Sequence, residues 1–167
     1  MRKFAHIAAV ALTATLALSA CGKHEDDQQA TQQQVQQVAK PTDPNDSKAW
    51  NAYFGQIVQK NMQGMTANQP YPYLVPPGDT DEDKAGRDRQ LSNVQDTVAR
   101  GVLPGNMLVF AGPDSTKTAD LMAEAFKDAK PGSFKDVIVL FIGSQADEQR
   151  VTDLLKPTGA TVRFVAM

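Results

Sequence analysis

The segment Gly112-Pro113-Asp114-Ser115-Thr116-Lys117-Thr118 gathers a carboxylate, hydroxyls and an amine in seven residues, the set from which a phosphate loop or a Ser–Lys nucleophile would be built. A phosphate loop needs glycine six residues before its lysine and again immediately before it. Those positions hold Ala111 and Thr116. Ser115 and Lys117 stand two apart on an expected helix, so they face different directions and do not meet. Asp79, Asp81 and Asp83 begin like a calcium loop. Such a loop requires Gly at its sixth position and Glu at its twelfth, and these are Lys84 and Gln90. Acids there suit the entry of a helix instead. The two histidines are His6 and His24, and the one cysteine is Cys21. Beyond residue 45 the chain therefore has neither, which excludes Ser-His-Asp and Cys-His catalysis and the usual zinc and copper ligand sets. Carboxylate-only glycoside hydrolysis needs a long cleft, which a small domain hardly provides. The expectation is a non-enzyme without metal, nucleotide or other cofactor.

Two features remain. The turns Gly112–Ser115 and Gly143–Asp147 each follow an apolar run and open a helix. They should lie side by side at the carboxyl edge of a sheet, where helix N-termini offer donors to an anion. Gly112, Asp114, Ser115, Gly143 and Ser144 are the candidate ligand edge. The second feature is the placement of aromatics. The sole Trp and all three Tyr fall between Trp50 and Tyr73. Trp50 and Phe54 recur at core spacing. Tyr71 and Tyr73, with Leu74, stand between prolines, and Tyr is enriched in binding hot spots. These three are the candidate partner-binding residues.

The cysteine has a different role. Arg2 and Lys3 precede an apolar run, Ala8–Leu18, that is shorter than the about 20 residues a membrane-spanning helix needs. Leu18-Ser19-Ala20-Cys21 then resembles the lipobox of bacterial lipoproteins. The resemblance covers residues 1–21. It implies that residues 1–20 are a cleaved signal, and that Cys21 carries covalent diacylglycerol and an N-acyl chain such as palmitate. Gly22, where the family's inner-membrane proteins carry aspartate, implies the outer membrane, with the protein facing the periplasm. Acylation also removes a free thiol from an oxidising compartment.

From residue 21 to 45 the chain has seven glutamines and only Val35 and Val38 as strongly apolar residues. It cannot bury enough apolar surface to offset ordering, and reads as a disordered tether. As coil its residues 22–44 would span about 26 Å, and at full stretch about 76 Å. Net charge is −2 and becomes more negative once Arg2 and Lys3 are removed. That argues against nucleic acid as a partner.

Residues 46–167 must position the candidates. The spacing predicts a helix from about Ser47 to Gln63 with Trp50, Phe54, Ile57, Val58 and Met62 on one side. Gln69–Gly78 holds four prolines and is an extended crossing. A helix bearing Leu91, Val94 and Val98 ends at Gly101. Strand Met107–Ala111, helix Ser115–Ala129, strand Val137–Ile142, helix Gln145–Leu155 and strand Thr161–Val165 follow. Continuous apolar strands separated by helices imply a parallel sheet covered on both faces. The expected fold is α/β, a mainly parallel sheet of three strands with room for a fourth. Its C-terminal half is β-α-β-α-β, and the two N-terminal helices cover the other face.

Signal, lipobox, polar tether and one compact domain together are similar in layout to small lipoproteins that neutralise antibacterial effectors in the periplasm. That layout implies an immunity or inhibitor protein binding a periplasmic partner. The alternatives are an accessory lipoprotein of an envelope machine such as a secretion or pilus assembly, and a binder of small ligands or cell wall.

Overall fold

The computed structural model describes residues 38–167. The signal, Cys21 and the first part of the tether lie outside the described residues. Helix α1 (Ser47–Lys60) begins where the Asp46 carboxylate accepts from the Ala49 N–H at 2.9 Å. Helix α2 (Asp81–Arg100) begins at Thr80, whose hydroxyl accepts from the Asp83 N–H at 3.1 Å. Asp81, Glu82 and Asp83 fill its first turn, where negative charge suits the helix dipole.

The proline-rich crossing contains the fourth strand. Tyr71–Leu74 is β1, paired parallel to β2 (Met107–Ala111), which pairs with β3 (Ile138–Gly143), which pairs with β4 (Thr161–Ala166). Strand order follows chain order, and all pairs are parallel. The prolines are compatible because β1 is an edge. The Val75 N–H donates to the Ala111 carbonyl at 2.8 Å. Val75, Tyr73 and Tyr71 therefore turn their backbone groups to β2, and Pro72 turns outward, where its missing N–H costs no ladder bond. Helices α3 (Ser115–Phe126) and α4 (Gln145–Leu155) link the later strands.

One expectation is corrected. Only α1 covers the second face. Val94 of α2, with Leu91 and Val98 partly buried, packs in the same core as α3 and α4, against Leu108, Phe110, Val139 and Phe141. Because Tyr71–Leu74 is a strand, α2 is itself a crossover between parallel neighbours. Crossovers of one hand place all three linking helices on one face. On the other face Trp50 and Phe54 of α1 pack on Met107, Val109, Ala111, Ile138, Leu140 and Ile142.

Every residue of β2 and β3 is buried. Each buried Leu, Ile, Val or Phe side chain contributes about 1.5–3 kcal/mol, so these two runs dominate stability. Aromatic rings extend the three-helix core to the sheet edge. Tyr73 stacks on Phe110 with centroids 5.0 Å apart, Phe110 meets Phe126 at 5.8 Å, and Phe126 meets Phe134 at 5.3 Å. Tyr73 is 8% exposed, and its hydroxyl donates to Thr97 Oγ1 at 3.0 Å. Tyr71, two residues earlier, is 50% exposed.

The two tyrosines therefore separate on mutation. Tyr73→Ala should lower unfolding free energy by about 3–5 kcal/mol, as removing a buried ring does. Tyr71→Ala should stay within about 0.5 kcal/mol. Urea unfolding of both variants followed by circular dichroism checks this; equal losses would contradict the packing described.

Candidate functional site

The carboxyl edge of the sheet is assembled as its turns suggest. Asp114 caps α3, its carboxylate accepting from the Lys117 N–H at 3.0 Å, and Ser144 caps α4, accepting from the Ala146 N–H at 3.3 Å. The Ser115 hydroxyl donates to Asp147 Oδ2 at 2.6 Å and accepts from the Ser144 N–H at 2.7 Å. The two turns meet closely enough to demand glycine. A Cβ on Gly143 would stand 2.6 Å from Ser115 Oγ and run into the Phe141 ring. One on Gly112 would stand 2.6 Å from Thr118 Oγ1 and 2.7 Å from the Val75 carbonyl oxygen. All five candidate edge residues, Gly112, Asp114, Ser115, Gly143 and Ser144, thus share one place.

Their polar atoms serve one another. Asp147 sits in the first turn of α4 and is 8% exposed. Its carboxylate lies between the openings of two helices, where the helix N-termini could offer donors to an anion. Its second oxygen accepts from Arg150 Nη2 at 2.9 Å, and Arg150 Nη1 donates to Asp120 Oδ1 at 2.6 Å. The chain supplies its own anion at this edge. Lys117 is similarly engaged, donating to the Pro77 carbonyl at 2.6 Å and to Asp79 Oδ1 at 2.8 Å. Arg87 donates to the carbonyls of Pro76, at 3.0 Å, and Gly78. Together these two cations pin the proline-rich loop, whose prolines have no N–H to give, to α3 and α2.

The loop carboxylate Asp79 is held below its ordinary 3.8, first by the hydrogen bond from Lys117 and then by the charge of Lys117; desolvation opposes this, and Arg87 and Lys84 add smaller lowering effects. A depressed folded-state pKa favours the native state above 3.8 and ceases to do so as pH falls through the folded value. Asp79 is fully exposed, so solvent and salt weaken the effect.

Beside this edge, on the α1 face, an apolar groove of about 270 Å³ runs between α1 and the crossing, lined by Trp50, Phe54, Leu74, Pro76 and Pro113 among others. Leu74 points here, away from both tyrosines. The Trp50 indole N–H donates to the Asp43 carbonyl at 2.9 Å and ties the end of the tether to α1.

At the other end of β1, Tyr71, Thr97, Arg100, Val102, Leu103 and Asn106 line a cleft of about 230 Å³. Tyr71 and Leu103, 77% exposed, are the two large apolar side chains left exposed among the described residues, and both border this cleft. The three partner candidates are therefore divided. Tyr71 lies at the cleft, Leu74 at the groove on the opposite face, and Tyr73 in the core, where it touches no partner. Leu103 was not anticipated. Its signal was an apolar pair, Val102-Leu103, in a Gly- and Pro-bounded turn where polar residues are the rule.

Among the described residues no cluster of His, Cys, Asp or Glu could hold a metal ion. In comparisons with known protein families, with curated proteins and with solved structures, nothing matches the chain.

Removing the Ser115 hydroxyl leaves Oδ2 of the buried Asp147 carboxylate without its donor and the Ser144 N–H without its acceptor. Ser115→Ala should cost about 1–3 kcal/mol in urea unfolding. An unchanged midpoint would mean that the two turns do not depend on this hydroxyl.

Proposed function

We propose that the chain is a lipid-anchored protein of the bacterial envelope whose folded domain binds a protein partner in the periplasm without catalysing a reaction. The anchor is acylated Cys21 on the outer membrane, and the tether presents the domain to the periplasmic space. Support for the anchor comes from the basic start, the short apolar run and Leu18-Ser19-Ala20-Cys21. Among the described residues no helix is long and apolar enough to cross a membrane.

The observation that carries the binding role is the cleft at the start of β1. A folded chain that buries all of β2 and β3 leaves Tyr71 and Leu103 exposed together, beside the exposed Arg100. Tyr and Arg anchor most of the energy of typical protein interfaces, and paired apolar residues on a polar surface mark such sites. Against chemistry stands the sequence beyond residue 45, which has no His or Cys, and the internal engagement of Ser115, Lys117 and Asp147. Within this role, the layout favours an inhibitor of a periplasm-directed effector over a subunit of an envelope machine. A toxin gene beside this one would favour the inhibitor, and machine genes the subunit.

Two measurements test the reading. Cys21→Ser should move the protein from the membrane pellet to the soluble periplasmic fraction; a variant that still sediments with membranes removes the anchor. Tyr71→Ala combined with Leu103→Asp should weaken capture of a periplasmic partner about tenfold or more, while thermal unfolding shifts by only a few degrees. Undiminished capture by that folded variant would remove the cleft as the contact surface.

A further inference from the structure

The two edges of the sheet are finished in opposite ways. At the β1 edge the outward residues are Pro72 and Leu74. Pro72 has no N–H to offer, and the Leu74 carbonyl accepts from Gln90 Nε2 at 3.3 Å. Pro70 and Pro76 flank them. This edge cannot accept another strand.

At the β4 edge, the Thr161 N–H donates to Val137 O at 2.8 Å, and the Met167 N–H donates to Gly143 O at 3.1 Å. Odd-numbered residues therefore face β3, and Val162, Phe164 and Ala166 turn their N–H and C=O groups outward. Among the described residues nothing pairs with these outward groups. Natural edges are blunted by proline, bulges, lysine or inward charges. Thr161–Ala166 (TVRFVA) has no proline, bulge or lysine and is rich in residues that favour strands. Its one charge, Arg163, bends back to donate to the carbonyls of Asn61 and Gln63 at the end of α1.

We infer that β4 is the docking edge for a second copy of this chain, paired antiparallel about a two-fold axis perpendicular to the sheet. The outward set is self-complementary. With the axis at Phe164, each Phe164 faces its counterpart, and each Val162 faces the other copy's Ala166. All are residues whose two backbone groups point outward, so each pair exchanges both hydrogen bonds, as the narrow pairs of an antiparallel ladder do. A perpendicular axis keeps Val162 and Phe164 of both copies on the three-helix face, continuing the Phe141–Phe164 contact, whose centroids lie 5.9 Å apart. Centring the axis on Arg163 instead would oppose two cations and leave Ala166 unpaired. Because Arg163 is held by α1, the copies bring no facing charges to the seam. The contact is isologous, so it closes at two copies and does not run on into a fibre.

The test uses the chain from Gly22 to Met167, which lacks only the signal and the lipid-bearing cysteine. Sedimentation equilibrium should give twice the monomer mass, and Ala166→Pro should return it to one. That substitution takes away an outward N–H at an exposed position and no bond to β3. Hydrogen exchange on the unsubstituted chain should slow at Val162, Phe164 and Ala166 as concentration rises, while β2 amides stay constant. A monomer at all concentrations up to the millimolar range overturns the inference, and implies that any strand on this edge comes from another protein. A dimer whose concentration-dependent protection lies outside β4 overturns it too, as does one that persists in Ala166→Pro. Should Ala166→Pro fail to fold, the exchange pattern alone decides. The Tyr71 cleft lies at the opposite edge, so either proposal can fail without the other.

Discussion

Strands β2 and β3 have no water-facing side, and the rest of the fold answers that constraint. Met107–Ala111 and Ile138–Gly143 bury every residue, so their backbone groups must be paired on both flanks and their side chains covered on both faces. Parallel pairing requires crossovers, and crossovers of one hand put α2, α3 and α4 together. One face is therefore roofed by three helices, and the other is left to α1, with Trp50 and Phe54 as its main contacts. A helix with its side chains is about 10–12 Å across, whereas four strands span about 15–20 Å. The α1 face is consequently the thinner one, and the groove beside Leu74 and Pro76 is its margin.

The same topology brings two helix N-termini to the carboxyl edge, a place that attracts negative charge whatever the protein does with it. Here Asp147 from α4 and the hydroxyl of Ser115 from α3 satisfy that field internally. The gain is mechanical, since the hydrogen bonds lock the β2–α3 and β3–α4 turns to each other. Arg87 and Lys117 do equivalent work next door, giving donors to carbonyls of a loop whose prolines cannot bond among themselves. An edge so occupied is braced rather than receptive, and the two most exposed large apolar side chains, Tyr71 and Leu103, lie at the opposite end of β1.

The elements were largely legible from periodicity. Apolar runs gave β2, β3 and β4, and caps at Asp46, Asp114 and Ser144 opened helices where the patterns placed them. The fourth strand was obscured because proline argues against a strand when its position in the sheet is unknown. Tyr71–Leu74 qualifies only because Pro72 falls at an outward position of an edge, a fact of register and not of composition. That single element also decided the side taken by α2. The clustering of Gly112, Ser115 and Gly143 could be read from strand–turn–helix spacing, but not that Asp147 would occupy the space between. Long-range partners such as Ser115 with Asp147, or Lys117 with Pro77, leave no local trace. Tyr71 and Tyr73 look alike in sequence. Alternation along one strand puts both on the same side, and only the reach of α2 and Phe110 over Tyr73 buries one and leaves the other.

The two surfaces proposed for this domain sit at opposite margins of the sheet and have compatible geometry. Pairing along β4 leaves both β1 edges free and sets them about seven strand spacings apart, or about 34 Å, on one rigid sheet. A partner meeting the Tyr71–Leu103 cleft would thus be offered two copies in fixed relation. If it too is symmetric, or held in the same compartment, the second contact forms at a high effective concentration. The proposed lipid anchor would add to this by confining the domains to a thin layer at the membrane, which raises their local concentration and so the share that is paired. Edge pairing contributes main-chain hydrogen bonds and little apolar area, so the paired fraction depends on concentration. An edge without proline, bulge or lysine then has a physical use under these proposals: a contact that a freely diffusing protein would have to protect against would be set by how often anchored copies meet.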